Sequence, residues 1–164
     1  MIDIIPIPNK YGHFINIEEK NKKYFHIYFN DNKEEIQRTK LIEGDEVSKI
    51  NIVIDYQVKS FRELFTSCTS IETINFKRFY RNDITDMRDM FSYCSKLKEI
   101  NLFNFNSINV TDMSYMFYEC LSLKELNLSN FNTKNVINMG SMFSHCTLLK
   151  EINLANFNTT MLLI

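Results

Sequence analysis

Four cysteines stand at a fixed step of 26 residues, each three places after a phenylalanine: Phe65 and Cys68, Phe91 and Cys94, Phe117 and Cys120, Phe143 and Cys146. Four thiols in a small secreted protein suggest two disulfides, and thiolates also ligate zinc. The spacing argues against both. Residues in one column of a repeat face one way, here inward, and read as buried free thiols acting as small hydrophobes. No histidine shares the column; His145 precedes Cys146, but its equivalents are Ser67, Tyr93 and Glu119. His13, His26 and His145 are far apart and stand beside no nucleophile motif. There is no glycine-rich phosphate loop and no carboxylate pair with an evident cleft. Asp86 and Asp112, preceded by Thr85 and Thr111, read as first-turn carboxylates and N-caps of short helices. The expectation is a protein that is not an enzyme, with no catalytic residues, no metal and no cofactor.

The elements that hold these columns repeat with them. Ile71, Leu97, Leu123 and Leu149 align, as do Ile74, Ile100, Leu126 and Ile152, then Phe76, Leu102, Leu128 and Leu154, then Phe79, Phe105, Phe131 and Phe157. This is the L-x-x-L-x-L-x-x-N pattern of a leucine-rich repeat with Phe at its last position. Its middle alternates as a short strand does. In the other half of each unit, Met113, Met116, Phe117 and Cys120 fall at helical spacing on a 100° wheel, with Ser114, Tyr115 and Tyr118 facing away. Glycines (three) and prolines (two) form no column, so the turns rest on asparagine: Asn104-Phe-Asn106, Asn130-Phe-Asn132 and Asn156-Phe-Asn158. The first unit departs, with Arg78-Phe-Tyr80.

These columns predict an α/β repeat: a short, right-handed leucine-rich-repeat solenoid of four 26-residue units with an N-terminal antiparallel β cap. Strands are expected near 73–76, 99–102, 125–128 and 151–154, in one parallel sheet. Helices are expected near 60–67, 86–93, 112–119 and 138–145. The domains read as a β-rich cap over 1–57 and the solenoid over 58–164, in units 58–83, 84–109, 110–135 and 136–161. In the cap, Phe25, Ile27 and Phe29 alternate with Tyr24, His26 and Tyr28 as in a strand. Asn30 to Lys33 reads as a turn, Lys40 to Ile42 and Val47 to Ile54 as a hairpin, and Phe14 to Ile17 as a further strand.

The unit from Met116 to Met139, Met116-Phe-Tyr-Glu-Cys-Leu-Ser-Leu-Lys-Glu-Leu-Asn-Leu-Ser-Asn-Phe-Asn-Thr-Lys-Asn-Val-Ile-Asn-Met139, resembles the BspA-type leucine-rich repeat, also called the DUF285 or "lipoprotein" repeat. The resemblance covers roughly residues 58–161. It implies protein binding or adhesion rather than catalysis, and a cell-surface setting.

Composition bounds the rest. Of 164 residues, 45% are hydrophobic and 24% charged, as in a folded domain. A net charge of −1 without a basic block argues against nucleic acid. No apolar run approaches the ~20 residues of a membrane span. The first residues lack a basic segment followed by a long apolar stretch, so they do not read as a secretory signal and point to the cytoplasm.

For function, the strand face that points away from the core comes first. Its partner-binding candidates are Glu99, Asn101, Phe103, Glu125, Asn127, Glu151 and Asn153, on what would be the concave face of the solenoid. The function expected is a non-catalytic protein-binding module for adhesion or recognition, with a structural subunit of a larger assembly as the alternative. Tyr115 and Tyr118, with Tyr93 one unit earlier, form a second candidate on the helix side. The last strand, with Ile152 and Leu154, would present an edge half covered by Met161 to Ile164. Such an edge invites end-to-end self-association, a partner subunit or further repeats.

Overall fold

The computed structural model describes residues 1–77 and 79–158. Among them are nine strands: β1 (Ile2–Pro6), β2 (Gly12–His13), β3 (Phe25–Phe29), β4 (Lys40–Leu41), β5 (Ile50–Ile54), β6 (Ile71–Phe76), β7 (Glu99–Asn101), β8 (Glu125–Asn127) and β9 (Glu151–Asn153). The one helix among the described residues is a short 3-10 helix over Glu19–Tyr24.

The strands form open, mixed sheets. A five-stranded sheet has the order β3-β5-β1-β6-β7, β2 pairs with β4, and β8 pairs with β9. β1 runs antiparallel to both β5 and β6, whereas β6 and β7 are parallel. The α/β leucine-rich-repeat solenoid predicted above is therefore not the fold of this chain. Its expected helices are absent, and its single parallel sheet is replaced by a mixed sheet and a separate β8–β9 pair. The four expected strand positions are occupied, and the pairs β6–β7 and β8–β9 keep the 26-residue register, with Thr73 opposite Glu99 and Glu125 opposite Glu151.

The segments expected as helices are trains of tight turns. In a helix each N–H bonds back four residues within its own segment. Here alternate amides leave the segment. Met87, Asp89, Phe91 and Tyr93 donate to the carbonyls of Asp112, Ser114, Met116 and Tyr118, at 2.7–3.0 Å. The amides between them close three-residue turns, Met90 to Met87 and Ser92 to Asp89. The turns need a left-handed residue at every fourth place, and Glu63, Ser67, Asp89, Tyr93, Tyr115, Glu119, Ser141 and His145 all have φ between 55° and 62°. Asp86 and Asp112 do not meet a helix dipole. Their Oδ1 atoms accept the amides of Arg88 (2.9 Å) and Ser114 (2.8 Å) two residues on, and they join Ser60 and Asn138 in a row of parallel bridges. Thr85 and Thr111 do not cap helices either; their hydroxyls donate to the carbonyls of Lys59 and Thr85 in the preceding repeat.

The N-terminal strands differ from expectation in their pairing. Phe25, Ile27 and Phe29 are buried on alternate positions of β3, as predicted. β5 does not form a hairpin with residues 40–42; it lies between β3 and β1, and β4 pairs with β2 instead. Phe14 and Ile15 are buried without being strand.

The core is continuous from β3 to the last repeats. Phe65, Phe91, Phe117 and Phe143 stack face to face with centroids 5.4–5.9 Å apart. Phe79, Phe105 and Phe131 form a second stack at 4.9 and 5.8 Å. Such ring pairs add about 0.5–1.5 kcal/mol each beyond the area they bury. Arg81, only 5% exposed, ties the N-terminal strands to the repeats. Its guanidinium donates to the carbonyls of Asp55 (2.9 Å), Tyr56 (3.2 Å) and Val58 and to the Asp83 carboxylate (2.9 and 3.1 Å). The tail from Met161 to Ile164, expected to half cover the last strand, lies outside the described residues.

Candidate functional site

The strand-face residues singled out by sequence are all exposed, and they meet only in part: Glu99, Glu125 and Asn127 line one open cavity, and Asn101, Phe103 and Asn127 another. Glu99 and Asn101 lie on β7, at the edge of the five-stranded sheet. Glu125 and Asn127 lie on β8, and Glu151 and Asn153 on β9, in the separate pair. No ladder joins β7 to β8, so the concave face of a leucine-rich repeat is not present and does not serve as the recognition surface expected above. The asparagines do not stack as an amide ladder. Asn101, Asn127 and Asn153 each accept the amide two residues ahead through Oδ1, from Phe103 (2.9 Å), Ser129 (3.0 Å) and Ala155 (3.2 Å). They terminate their strands.

The turn side brings its exposed residues together. Tyr118 lies at the centre of a cluster in which every neighbouring ring meets it edge to face. Tyr93 is 5.3 Å away between centroids, Tyr115 5.5 Å and His145 5.4 Å, at interplanar angles of 72°, 68° and 86°. The turn train explains the meeting. Tyr93, Tyr115 and His145 occupy left-handed positions, which direct their side chains out of the stack, and the bonds Tyr93 N to Tyr118 O (2.7 Å) and Glu119 N to Ser144 O (2.9 Å) fix the spacing of the three repeats. Partial burial, then the neighbouring Glu119 carboxylate and the Tyr93 phenol, push the Tyr118 phenol above its ordinary range. Sequence singled out the three tyrosines, but it weighed His145 only as a metal ligand and did not place it beside them. Its column (Ser67, Tyr93, Glu119, His145) runs directly beside the one that holds Tyr118, and that adjacency was the available signal.

The groups with chemical potential are engaged elsewhere. His26 bridges two carboxylates, with Nδ1 3.2 Å from Glu35 and Nε2 3.5 Å from Asp55. The Glu35 hydrogen bond, against some burial, raises its pKa. With a carboxylate at each nitrogen, the charged imidazole is favoured over the neutral one. Cys68, Cys94 and Cys120 are buried free thiols, and Cys146 is half-buried. Cys94, Cys120 and Cys146 donate through Sγ to the carbonyls of Phe65, Phe91 and Phe117 at 2.9–3.2 Å. Burial pushes all four thiols up, away from the thiolate that nucleophilic or metal chemistry needs. Among the described residues no group of three or more His, Cys, Asp and Glu side chains could hold a metal ion, and no helix is long and apolar enough to cross a membrane.

The family model described as "Mycoplasma protein of unknown function, DUF285" matches residues 59–162, and the chain belongs to that family. No curated protein and no solved structure matches it.

Proposed function

We propose that this DUF285 chain is a non-catalytic recognition domain that binds a protein partner through the tyrosine cluster on its turn side. One observation supports this reading: Tyr93, Tyr115, Tyr118 and His145, from three successive repeats, interlock on the surface with Tyr93 and Tyr115 exposed. Tyrosine gives large, rigid contact area with a polar tip, at the entropic cost of only two side-chain torsions. The rings restrain one another, so little freedom is left to lose on binding. Tyrosines in such settings are frequent hot spots, each costing more than about 1–2 kcal/mol when truncated.

A photoreactive phenylalanine analogue placed at position 115 tests the reading, with the same analogue at position 125 as the strand-face control. In an extract of the native source, position 115 is expected to crosslink one discrete protein. Tyr93→Ala in the same chain should reduce that crosslink about tenfold, the effect of ~1.4 kcal/mol. Crosslinking from position 125 alone, or a position-115 crosslink indifferent to Tyr93→Ala, would overturn it.

A further inference from the structure

A second surface, on the asparagine-turn side, has a different chemistry. A shallow groove of about 500 Å³ is lined by Tyr80, Phe103, Ile108 and the amides of Asn104, Asn106 and Asn132, with Phe105 and Asn130 completing it. Tyr80 and Phe103 are the two most exposed aromatic residues of the repeats, at 76% and 72%. Phe103 is the one exposed phenylalanine among the described residues, and it shares the groove with the bare ring of Tyr80.

The groove is rigid. Asn130 Nδ2 donates to the carbonyls of Leu102 (3.0 Å), Phe103 (2.9 Å) and Phe105 (2.7 Å), which pins the Phe103 turn to the next repeat. The Oδ1 atoms of Asn106 and Asn132 accept the amides of Ile108 and Lys134, both at 3.0 Å. That fixes each side-chain amide by one end only. Among the described residues the Nδ2 groups of Asn106 and Asn132, and both ends of the Asn104 amide, have no hydrogen-bond partner.

The lining also carries no charge among the described residues, in a chain that is 24% charged. A nucleic acid or an acidic ligand would call for cations there, and a basic peptide for carboxylates. An amphipathic helix would call for a broad apolar groove with few open amides. What remains is a neutral ligand with flat apolar C–H faces and a rim of hydroxyls. A pyranose ring has that form: its C–H face covers an aromatic ring, and each hydroxyl both donates and accepts, matching amides that do the same. We propose that the groove between Tyr80 and Phe103 binds a neutral oligosaccharide, with the two rings as stacking platforms and Asn104, Asn106 and Asn132 as the hydroxyl contacts. This site is separate from the tyrosine cluster and does not depend on it.

The test is a titration of the full chain followed by ¹H–¹⁵N correlation spectroscopy, which resolves the asparagine side-chain amides. The probes are neutral hexasaccharides of glucose (α-1,4 and β-1,4 linked), mannose and N-acetylglucosamine, with a sulfated hexasaccharide as the charged control. At least one neutral probe is expected to shift the Asn104, Asn106 and Asn132 amide signals at millimolar concentration. Tyr80→Ala and Phe103→Ala, both exposed and harmless to the core, should each weaken that binding about tenfold. The proposal is overturned if no neutral probe shifts those signals, if only the sulfated probe binds, or if binding survives both substitutions. Tyr115→Ala should leave saccharide binding unchanged, so failure here and failure of the protein-recognition reading are told apart.

Discussion

The left-handed residues of the turn trains make a prediction that separates this fold from the helical one. Ser141 is exposed, has φ 55° and makes no side-chain hydrogen bond. An L-residue held there loses roughly 1–2 kcal/mol to contact between its Cβ and the following carbonyl, and glycine loses none of it. Against that, glycine gives the unfolded chain about 0.4–1 kcal/mol more conformational freedom to lose. Ser141→Gly is therefore expected to lie between neutral and about 1.5 kcal/mol stabilising. Ser141→Val, branched at Cβ, should destabilise by about 1 kcal/mol or more at the same position. In a helix over 138–145 the order would reverse: glycine would cost about 0.5 kcal/mol relative to serine and valine almost nothing. For a domain of this size 1 kcal/mol moves the melting temperature by about 2–4 °C. Thermal unfolding of the three chains by circular dichroism, repeated in urea to confirm equal slopes, reads the order directly. A glycine variant that melts below the parent, by about 1–2 °C, while the valine variant does not would refute the turn geometry.

The buried joint, the core stack and the thiols give further expectations. Arg81→Ala leaves three carbonyls and Asp83 without the guanidinium that satisfies them, and should cost about 3–5 kcal/mol, or roughly 10 °C in melting temperature; Arg81→Lys, lacking the planar fork, should recover less than half. The Arg81 hydrogen bond, then that of Lys59, holds Asp83 at about 2, below its ordinary 3.8. Its contribution is therefore present above pH ~3.8 and lost as pH falls towards 2, a span limited by solvent screening to about 1 kcal/mol. Acid titration of the melting temperature should be flatter there in Asp83→Asn. Phe117→Ala, at the centre of the stacked column, should cost about 3–5 kcal/mol in urea unfolding. With a thiol reagent at mildly alkaline pH, Cys146 should label well before Cys68, Cys94 and Cys120, and equal rates for all four in the folded protein would contradict the burial described.

What the sequence disclosed depended on whether a pattern had one physical reading. Period-two alternation does: Phe25, Ile27 and Phe29 on β3, and Ile74 and Phe76 on β6, lie on the buried side as read. The columns also placed β7, β8 and β9 to within a residue. The run Met87, Met90, Phe91, Cys94 does not have one reading. A four-residue turn train advances 90° per residue against 100° for a helix, a drift of about 70° over seven residues, which stays within the wide apolar stripe of a surface helix. Both geometries bury the same side chains. Glycine at the left-handed places would have betrayed the turns, but those places hold Glu63, Asp89, Tyr115 and Ser141. β1 was hidden for a different reason. Its segment carries two prolines, Pro6 and Pro8, which weaken a strand signature, and its partners lie more than forty residues away in β5 and β6.

The candidate site follows the same logic. Column types are nearly uniform from repeat to repeat, so nothing in them marks where strand pairing stops between β7 and β8. That interruption divides the residues chosen on the strand face between two sheets. On the turn side no interruption occurs: amide-to-carbonyl bonds run through every described repeat, from Phe61 to Asp86, Met87 to Asp112 and Met113 to Asn138. A surface built on an unbroken ladder holds its side chains at fixed spacing, and preorganised spacing is what lets a few tyrosines bind without a large entropic loss. The continuity of the backbone ladder is thus what favours the turn side for the protein recognition proposed above.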